Sequence, residues 1–446
     1  MAARPAAGDA DPASLVRSFF DRHRVGGAVV GIVANGEFAW TYLHGHAEQE
    51  AGPPIETSTA FRIASITKTF TAAATVLLAR DGALALHEPA ARMLPELAAA
   101  GDQTSAITVE QLLSHRSGLP RESPAFDWSE RRFPTIDEIL AEADRLRLVA
   151  PPGGEPRYSN LGYQLLGEIV ARAADAPYED VVRGRLLEPL DMRATGFEPV
   201  GTPARGYEAR VFSDHLPPAD DRLKVTSAEG GMWATVGDVA RWAAVHLRGD
   251  DPVLPKEVLH DLHDPRWEGP DPRPALGWYR RGGDADPRIG HSGGTFGFSG
   301  RLELAPAHDL AAIVLVAGSA PAAELADRLL GHAIAEGAPE GSVRSDARRP
   351  APLPTGVEEL LGLYSWEDLS LPARVEWRDG GLALIRSWED DGAAAALEPT
   401  DDPLTFVVRG GRAAGEPLTF RRGSHGRITG FTISGWPLVR LVPERD

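Results

Sequence analysis

The chain has 446 residues, 43% apolar and 25% charged, which at about 100–200 residues per domain suits two or three globular units with cores large enough to stand without cross-links. Its 46 basic and 64 acidic residues give a formal charge of 46 minus 64, or −18, which excludes a broad basic field for nucleic acid or an anionic membrane. It contains no cysteine, so disulfides, thiolate metal sites and a cysteine nucleophile are excluded.

The N-terminal MAARPAAGDADPASLVRSFF has no apolar stretch of about 7–15 residues that would mark a secretory leader, and no run of about 18 apolar residues follows. The expected location is cytoplasmic, with no membrane contact. Ser14 to Arg24 reads as a helix. Gly27–Val33 and Phe38–Tyr42 flank Asn35-Gly36, a strong hairpin signal. From Ser65 to Asp81, Ile66, Phe70, Ala73, Ala74, Leu77 and Leu78 recur near a helical period, and Gly82 ends the run. Residues 108–250 read as mostly helical: one helix opens at the capping residue Thr108 with a glutamate two positions on, another spans Leu161 to Ala174, and a third Val236 to Leu247. Strands return after residue 275 as Leu302–Leu304 and Leu310–Val316, joined by a turn through Pro306 and His308, and a helix follows from Glu324 to Ala333. Early strands, a helical middle and late strands predict an α/β unit whose sheet is assembled from both ends, beside a helical cluster.

Residues 335–355 are rich in Pro, Gly, Ala and charge, which is linker chemistry. Beyond them the period becomes two, in Val375–Arg378, Leu404–Val408, Leu418–Arg421, Ile428–Ile433 and Leu438–Val442, with turns at Asp379-Gly380-Gly381, Gly410-Gly411 and His425-Gly426. Short strands at regular spacing predict a small all-β barrel or sandwich. The expected domains are 1–335, a linker at 336–355, and 356–446.

Three short stretches can carry chemistry. In Ser65-Ile66-Thr67-Lys68, serine and lysine share one helix face, and a lysine beside a serine can take part in removing the hydroxyl proton that keeps serine a poor nucleophile. In Tyr158-Ser159-Asn160, tyrosine can relay protons beside a lysine, and the asparagine amide can donate and accept at once; the same triplet also serves as a helix N-cap. In His291-Ser292-Gly293-Gly294, glycines admit a substrate backbone and free amides can stabilise an oxyanion, although a glycine-rich turn has the same composition. His260-Asp-Leu-His263-Asp264 lacks metalloenzyme spacing and reads as surface helix polarity; His115 reads as structural and Arg440 as a solvated edge residue.

Ser65-x-x-Lys68, Tyr158-x-Asn160 and His291-x-Gly293, in that order, resemble the three motifs of the class C β-lactamase and penicillin-binding-protein superfamily. Ile107–Leu119, Tyr158–Gly167 and Gly230–Asp238 are similar to family stretches as well, and the resemblance covers about residues 15–335. It implies an α/β (α+β) catalytic domain with an antiparallel sheet and a helical cluster, plus a small C-terminal all-β, lipocalin-like barrel. It also implies that Ser65 forms an acyl-enzyme, Lys68 and Tyr158 share the proton work, Asn160 holds the substrate's amide side, and the amides of Ser65 and Gly294 form the oxyanion hole. His291 stands where many β-lactamases have lysine; as a partly charged group it would be a weaker carboxylate anchor. No metal or cofactor is implied.

Length, domain order and motif set further resemble penicillin-binding-protein-type thioesterases, stand-alone enzymes that take a nonribosomal peptide with a C-terminal D-residue from a carrier-protein thioester and close it head to tail. On that resemblance the partner is a peptidyl thioester presented by a carrier protein, and Arg440 would bind a carboxylate or carbonyl of the peptide. The alternatives are a serine hydrolase (esterase, D-amino-acid peptidase or β-lactamase-like) and a non-catalytic acylated sensor.

Overall fold

The computed structural model describes residues 11–23, 25–48, 52–126, 133–207, 227–249, 251–346, 353–365, 372–378, 380–386 and 394–441. They form two compact units, divided between residues 348 and 349. Among the described residues no helix is long and apolar enough to cross a membrane.

The first unit is built on an eight-stranded sheet. Its order is Gly341–Ser345, Glu37–Gly45, Gly27–Ala34, Leu310–Ala317, Phe298–Ala305, Arg288–Thr295, Tyr279–Arg281, Arg273–Pro274. Asn35 and Gly36 both take positive φ (53° and 71°), so the hairpin turn carries the twist its strands need. Gly27–Ala34 is buried at all eight positions because both sheet faces are covered. Ala28, Val30 and Ile32 face the helices Pro12–His23 and Ala322–Glu336, whereas Val29 and Val33 face the larger core that includes Val236–Arg248. Gly27–Ala34 pairs with Leu310–Ala317, so the sheet closes from both ends of the unit as its pattern predicts.

Two expectations change here. The sheet is mixed, because Gly341–Ser345 runs parallel to Glu37–Gly45. That strand lies inside the segment expected to be a linker, so the first unit runs past 335; residues 347–352 of that segment lie outside the described residues. Its side chains are mostly exposed, and what holds it is invisible to hydrophobic patterning. A backbone ladder is joined by His44 Nδ1 to Ser345 Oγ (2.8 Å), and by Arg344 to the Ile55 carbonyl (2.7 Å) and Glu56 (2.9 Å).

The helix expected from Ser65 is a 3-10 turn, Ala64–Ile66, running into an α-helix, Thr67–Arg80. All residues from Thr67 to Leu78 are buried, so the helix is a central post rather than an amphipathic surface element. Its threonines tolerate this by bonding to carbonyls: Thr69 to Ile66 (2.8 Å), Thr75 to Thr71 (2.8 Å) and Thr71 to Ala228 (2.6 Å). The region after it holds short helices, Val109–Leu113, Ile136–Ala141 and Tyr178–Val182 among them, and longer ones at Asn160–Ala174 and Val236–Arg248. Thr108 does cap the first, through a box closed by Gln111 rather than by the glutamate.

The second unit is a closed barrel of eight strands, in which Gly362–Ser365 pairs with Trp436–Leu441. Five strands follow the predicted alternation. Gly362–Ser365 is short, Gly381–Arg386 is buried at consecutive positions Leu382 to Ile385, and Ala394–Pro399 is half alanine, so none of the three shows a clear period of two. Asp379 lies outside the described residues, and the other predicted turns carry positive φ at Gly380, Gly410, Gly411 and Gly426. Tyr364, Trp377, Phe406, Phe420 and Phe431 fill the interior, with Tyr364 and Phe431 ring centroids 4.9 Å apart. This barrel has a packed core where larger relatives of the shape enclose a ligand.

Candidate active site

Ser65 is presented by local backbone strain. Ala64, buried and not glycine, has φ 46°, which turns the chain sharply before the serine. The Ser65 hydroxyl then meets two groups: Tyr158 Oη donates to Ser65 Oγ at 2.8 Å, and Lys68 Nζ does so at 3.1 Å.

Lys68 is wholly buried. Its Nζ donates to Ser65 Oγ, to Asn160 Oδ1 (2.9 Å) and to the Glu229 carbonyl (2.6 Å), and it lies 5.1 Å and 5.3 Å from the Tyr158 and Tyr163 ring centroids. Three acceptors use all three hydrogens of an ammonium group, which is how so buried a cation is tolerated. In this arrangement Nζ donates to Ser65 Oγ. Tyr158 Oη, hydrogen-bonded to Ser65 Oγ, is the group placed to relay the serine proton, with Lys68 beside its ring.

Tyr158-Ser159-Asn160 combines both roles its pattern allows. Ser159 is the N-cap of Asn160–Ala174, accepting from the Gly162 amide (3.0 Å) and donating to the Pro120 carbonyl (2.7 Å). Asn160 accepts from Lys68 and donates through Nδ2 to Glu122 Oε1 at 2.7 Å. Among the described residues the asparagine's second N–H has no acceptor and is available to a substrate. His115 takes a larger part than its structural reading gave it. At φ 56° it accepts from the Ser159 amide through Nδ1 (3.1 Å) and lays its ring 4.4 Å from that of Tyr158. Burial, then the Lys68 charge, holds His115 well below its usual titration range, so it supports Tyr158 as a neutral ring.

His291 corrects the expectation of a partly charged anchor. It is buried, its Nδ1 donates to the Ser292 carbonyl at 2.7 Å, and burial followed by the Lys68 charge pushes its pKa down to about 3. It is a neutral imidazole at pH 7. The strand carrying it, Arg288–Thr295, is paired along its length with Phe298–Ala305, whereas Tyr279–Arg281 reaches only to Gly290. Residues 291–295 thus lack a strand partner on the side where the Ser65 turn packs. Gly293 is required there, since a Cβ would sit 2.2 Å from the Ile63 carbonyl oxygen. A Cβ on Gly294 would meet no atom within 4 Å. Behind this strand, Arg301 donates to Ser292 Oγ (2.9 Å) and is neutralised by the buried Glu303, which also binds Arg281 (2.7 Å).

The structure thus gathers Ser65, Lys68, Tyr158, Asn160, His291, Gly293 and Gly294 in the first unit. Arg440 lies in the barrel, where it is not a solvated edge residue: Nη2 donates to the Leu361 carbonyl at 2.7 Å, and Gly362 leaves room for the guanidinium. His263 likewise departs from surface polarity. Its Nε2 lies 2.9 Å from His246 Nδ1, both rings pack on Trp278, and burial pushes His263 down to about 3. Among the described residues no three metal-ligating side chains cluster. Sequence reading missed Glu122 and the Glu229 carbonyl. Neither belongs to a periodic pattern, and only the fold brings them to Asn160 and Lys68.

Residues 13–336 match the family described as Beta-lactamase. Protein Rv1367c of Mycobacterium tuberculosis is 33% identical over 280 residues, 56% of this chain and 69% of that protein. The octameric penicillin-binding protein homologue from Pyrococcus abyssi superposes with a TM-score of 0.65 at 21% identity, covering 96% of this chain and 99% of its own. SurE superposes with a TM-score of 0.61 at 25% identity, covering 96% and 98%; it has also been solved with D-Leu.

Proposed function

The chain belongs to the beta-lactamase family, a superfamily of serine hydrolases and acyltransferases, and we propose that it takes a peptidyl group from a carrier-protein thioester onto Ser65 and closes it head to tail. The observation that carries this reading is the neutral, buried His291. A peptidase or β-lactamase acting on a substrate with a free carboxylate gains from a cation at that position, and a thioester has no such carboxylate to bind. The match to SurE, which spans both units, supports the same choice, and its D-Leu form is in keeping with a D-residue at the acyl end.

The chemistry follows from the contacts. Tyr158 Oη, 2.8 Å from Ser65 Oγ, takes the Ser65 proton and hands on its own as Oγ attacks the thioester carbonyl. The proton passes to the departing sulfur and the thiol leaves. The amides of Ser65 and Gly294 stabilise the oxyanion. The peptide's own amine then attacks the Ser65 ester, its proton returns through Tyr158 to Oγ, and an amide replaces the ester. Atoms balance as thioester plus amine giving amide plus thiol.

The test is incubation with a peptidyl thioester mimic ending in a D-residue, read by mass spectrometry. Loss of thiol with no water added marks cyclisation, and Ser65→Ala abolishes both product and covalent adduct. Linear acid alone, across varied peptides, would favour the hydrolase reading and sink this one.

A further inference from the structure

We infer that Glu122 receives the attacking amine, so that aminolysis of the acyl-enzyme outruns hydrolysis; this rests on the acyl-transfer reading above. The segment carrying Glu122 is locked to the site: the Arg121 carbonyl accepts from the amides of Asn160 and Leu161 at 2.8 and 3.1 Å. Glu122 Oε1 accepts from Asn160 Nδ2 (2.7 Å), Asn160 Oδ1 accepts from Lys68 Nζ (2.9 Å), and Lys68 reaches Ser65 Oγ (3.1 Å). A carboxylate therefore stands two side chains from the nucleophile. Its second oxygen, Oε2, is shielded from water and has no hydrogen-bond partner among the described residues. Among the described residues the cation paired with Glu122 is Arg121, whose Nε is 3.4 Å from Oε1 and whose side chain is 70% exposed, a weak pairing.

A carboxylate oxygen kept from water without a partner is costly, and it gains when a ligand supplies a donor. The acyl group of a thioester has no positive charge to offer it, whereas a primary amine brings two N–H groups. One leaves as the proton taken by Tyr158; the other donates to Glu122. The side chain is not sealed, since 18% of it stays accessible, and rotation about its last bond exchanges the oxygens between Asn160 and the incoming amine. Glu122 keeps its charge throughout, C–N forms, C–Oγ breaks, and Ser65 regains its proton. If Glu122 only held Asn160, glutamine would serve as well, because its carbonyl oxygen accepts the same bond.

The experiment uses the full chain, acylated by an N-acetylated peptidyl thioester mimic ending in a D-residue, with either glycinamide or methanol as added acceptor. Mass spectrometry gives the ratios of amide to acid and of ester to acid. For Glu122→Gln the amide-to-acid ratio falls about tenfold or more, the loss of a charge-assisted hydrogen bond, while the ester-to-acid ratio stays within about twofold. An unchanged amide ratio overturns the inference. So does an equal fall of both ratios, which would mark a positioning effect through Asn160. A wild-type acyl-enzyme that gives only acid with glycinamide also overturns it, whereas failure of the wild type to form any acyl-enzyme from the thioester brings down the functional reading itself.

Discussion

Lowering the pH from 7.5 to 4.5 is expected to destabilise the catalytic unit through its buried histidines. His115, His246 and His291 are buried, and His263 packs against His246. Burial is the leading cause of depression for all four: His291 and His263 fall to about 3, His115 and His246 well below 6.5. In the unfolded chain each titrates near 6.5. Between about 3 and 6.5 the unfolded chain therefore binds more protons than the folded one, and stability rises with pH across that window. The contribution is complete above about 6.5 and is lost as the pH falls toward the folded values. His291 and His263, with folded values of about 3, each lose about 1.4 kcal/mol per pH unit, so going from 6.5 to 4.5 removes about 3 kcal/mol apiece, and His115 and His246 add to the loss in the same direction. Two such residues already remove about 6 kcal/mol, against a usual domain stability of about 5–15 kcal/mol. Urea unfolding followed by tryptophan fluorescence at several pH values measures this. A midpoint that stays flat from pH 7 to 5 would refute the reasoning, since it would mean the imidazoles take up protons in the folded state as freely as in the unfolded one.

Tyr158→Phe should slow acylation of Ser65 by roughly 10²–10⁴-fold, read by single-turnover mass spectrometry, with little change in thermal midpoint. His291→Lys should shift preference toward substrates with a free C-terminal carboxylate; competition between a D-residue acid and its thioester analogue checks the direction. Gly293→Ala should abolish acylation, because the added methyl meets the Ile63 carbonyl, and a normal rate would show that the strand can retreat from the Ser65 turn. If Arg440 binds the peptide, Arg440→Ala should raise KM for a peptidyl thioester and leave kcat for a small acetyl thioester unaltered.

Local chemistry made much of this protein legible before any tertiary contact was known. Asn35-Gly36 can hardly be anything but a tight turn, because both residues tolerate positive φ. Ser65 and Lys68 share a helix face through their spacing alone, and Ser159 caps the helix behind Asn160 because its hydroxyl reaches an orphan amide. The Gly341–Ser345 strand was hidden, since its hold lies in a ladder and in partners some 300 residues away. Three barrel strands were hidden because nothing in them marks one face: Gly362–Ser365 is four residues long, Leu382 to Ile385 are all buried, and alanine in Ala394–Pro399 alternates too weakly.

Sequence alone determined which groups could react and in what order they occur, because those features depend on residue type and on spacings of a few positions. Tertiary structure alone decided their charge and partners. Lys68 Nζ donates to three acceptors because Asn160 and the Glu229 carbonyl come from distant segments to join Ser65 around it; His291 is neutral because it is buried beside Lys68; and Glu122 faces the site because a loop carbonyl pins its segment to the Asn160 helix. Charge state depends on solvation and on neighbours within a few ångströms, and those neighbours are set by the packing of distant segments.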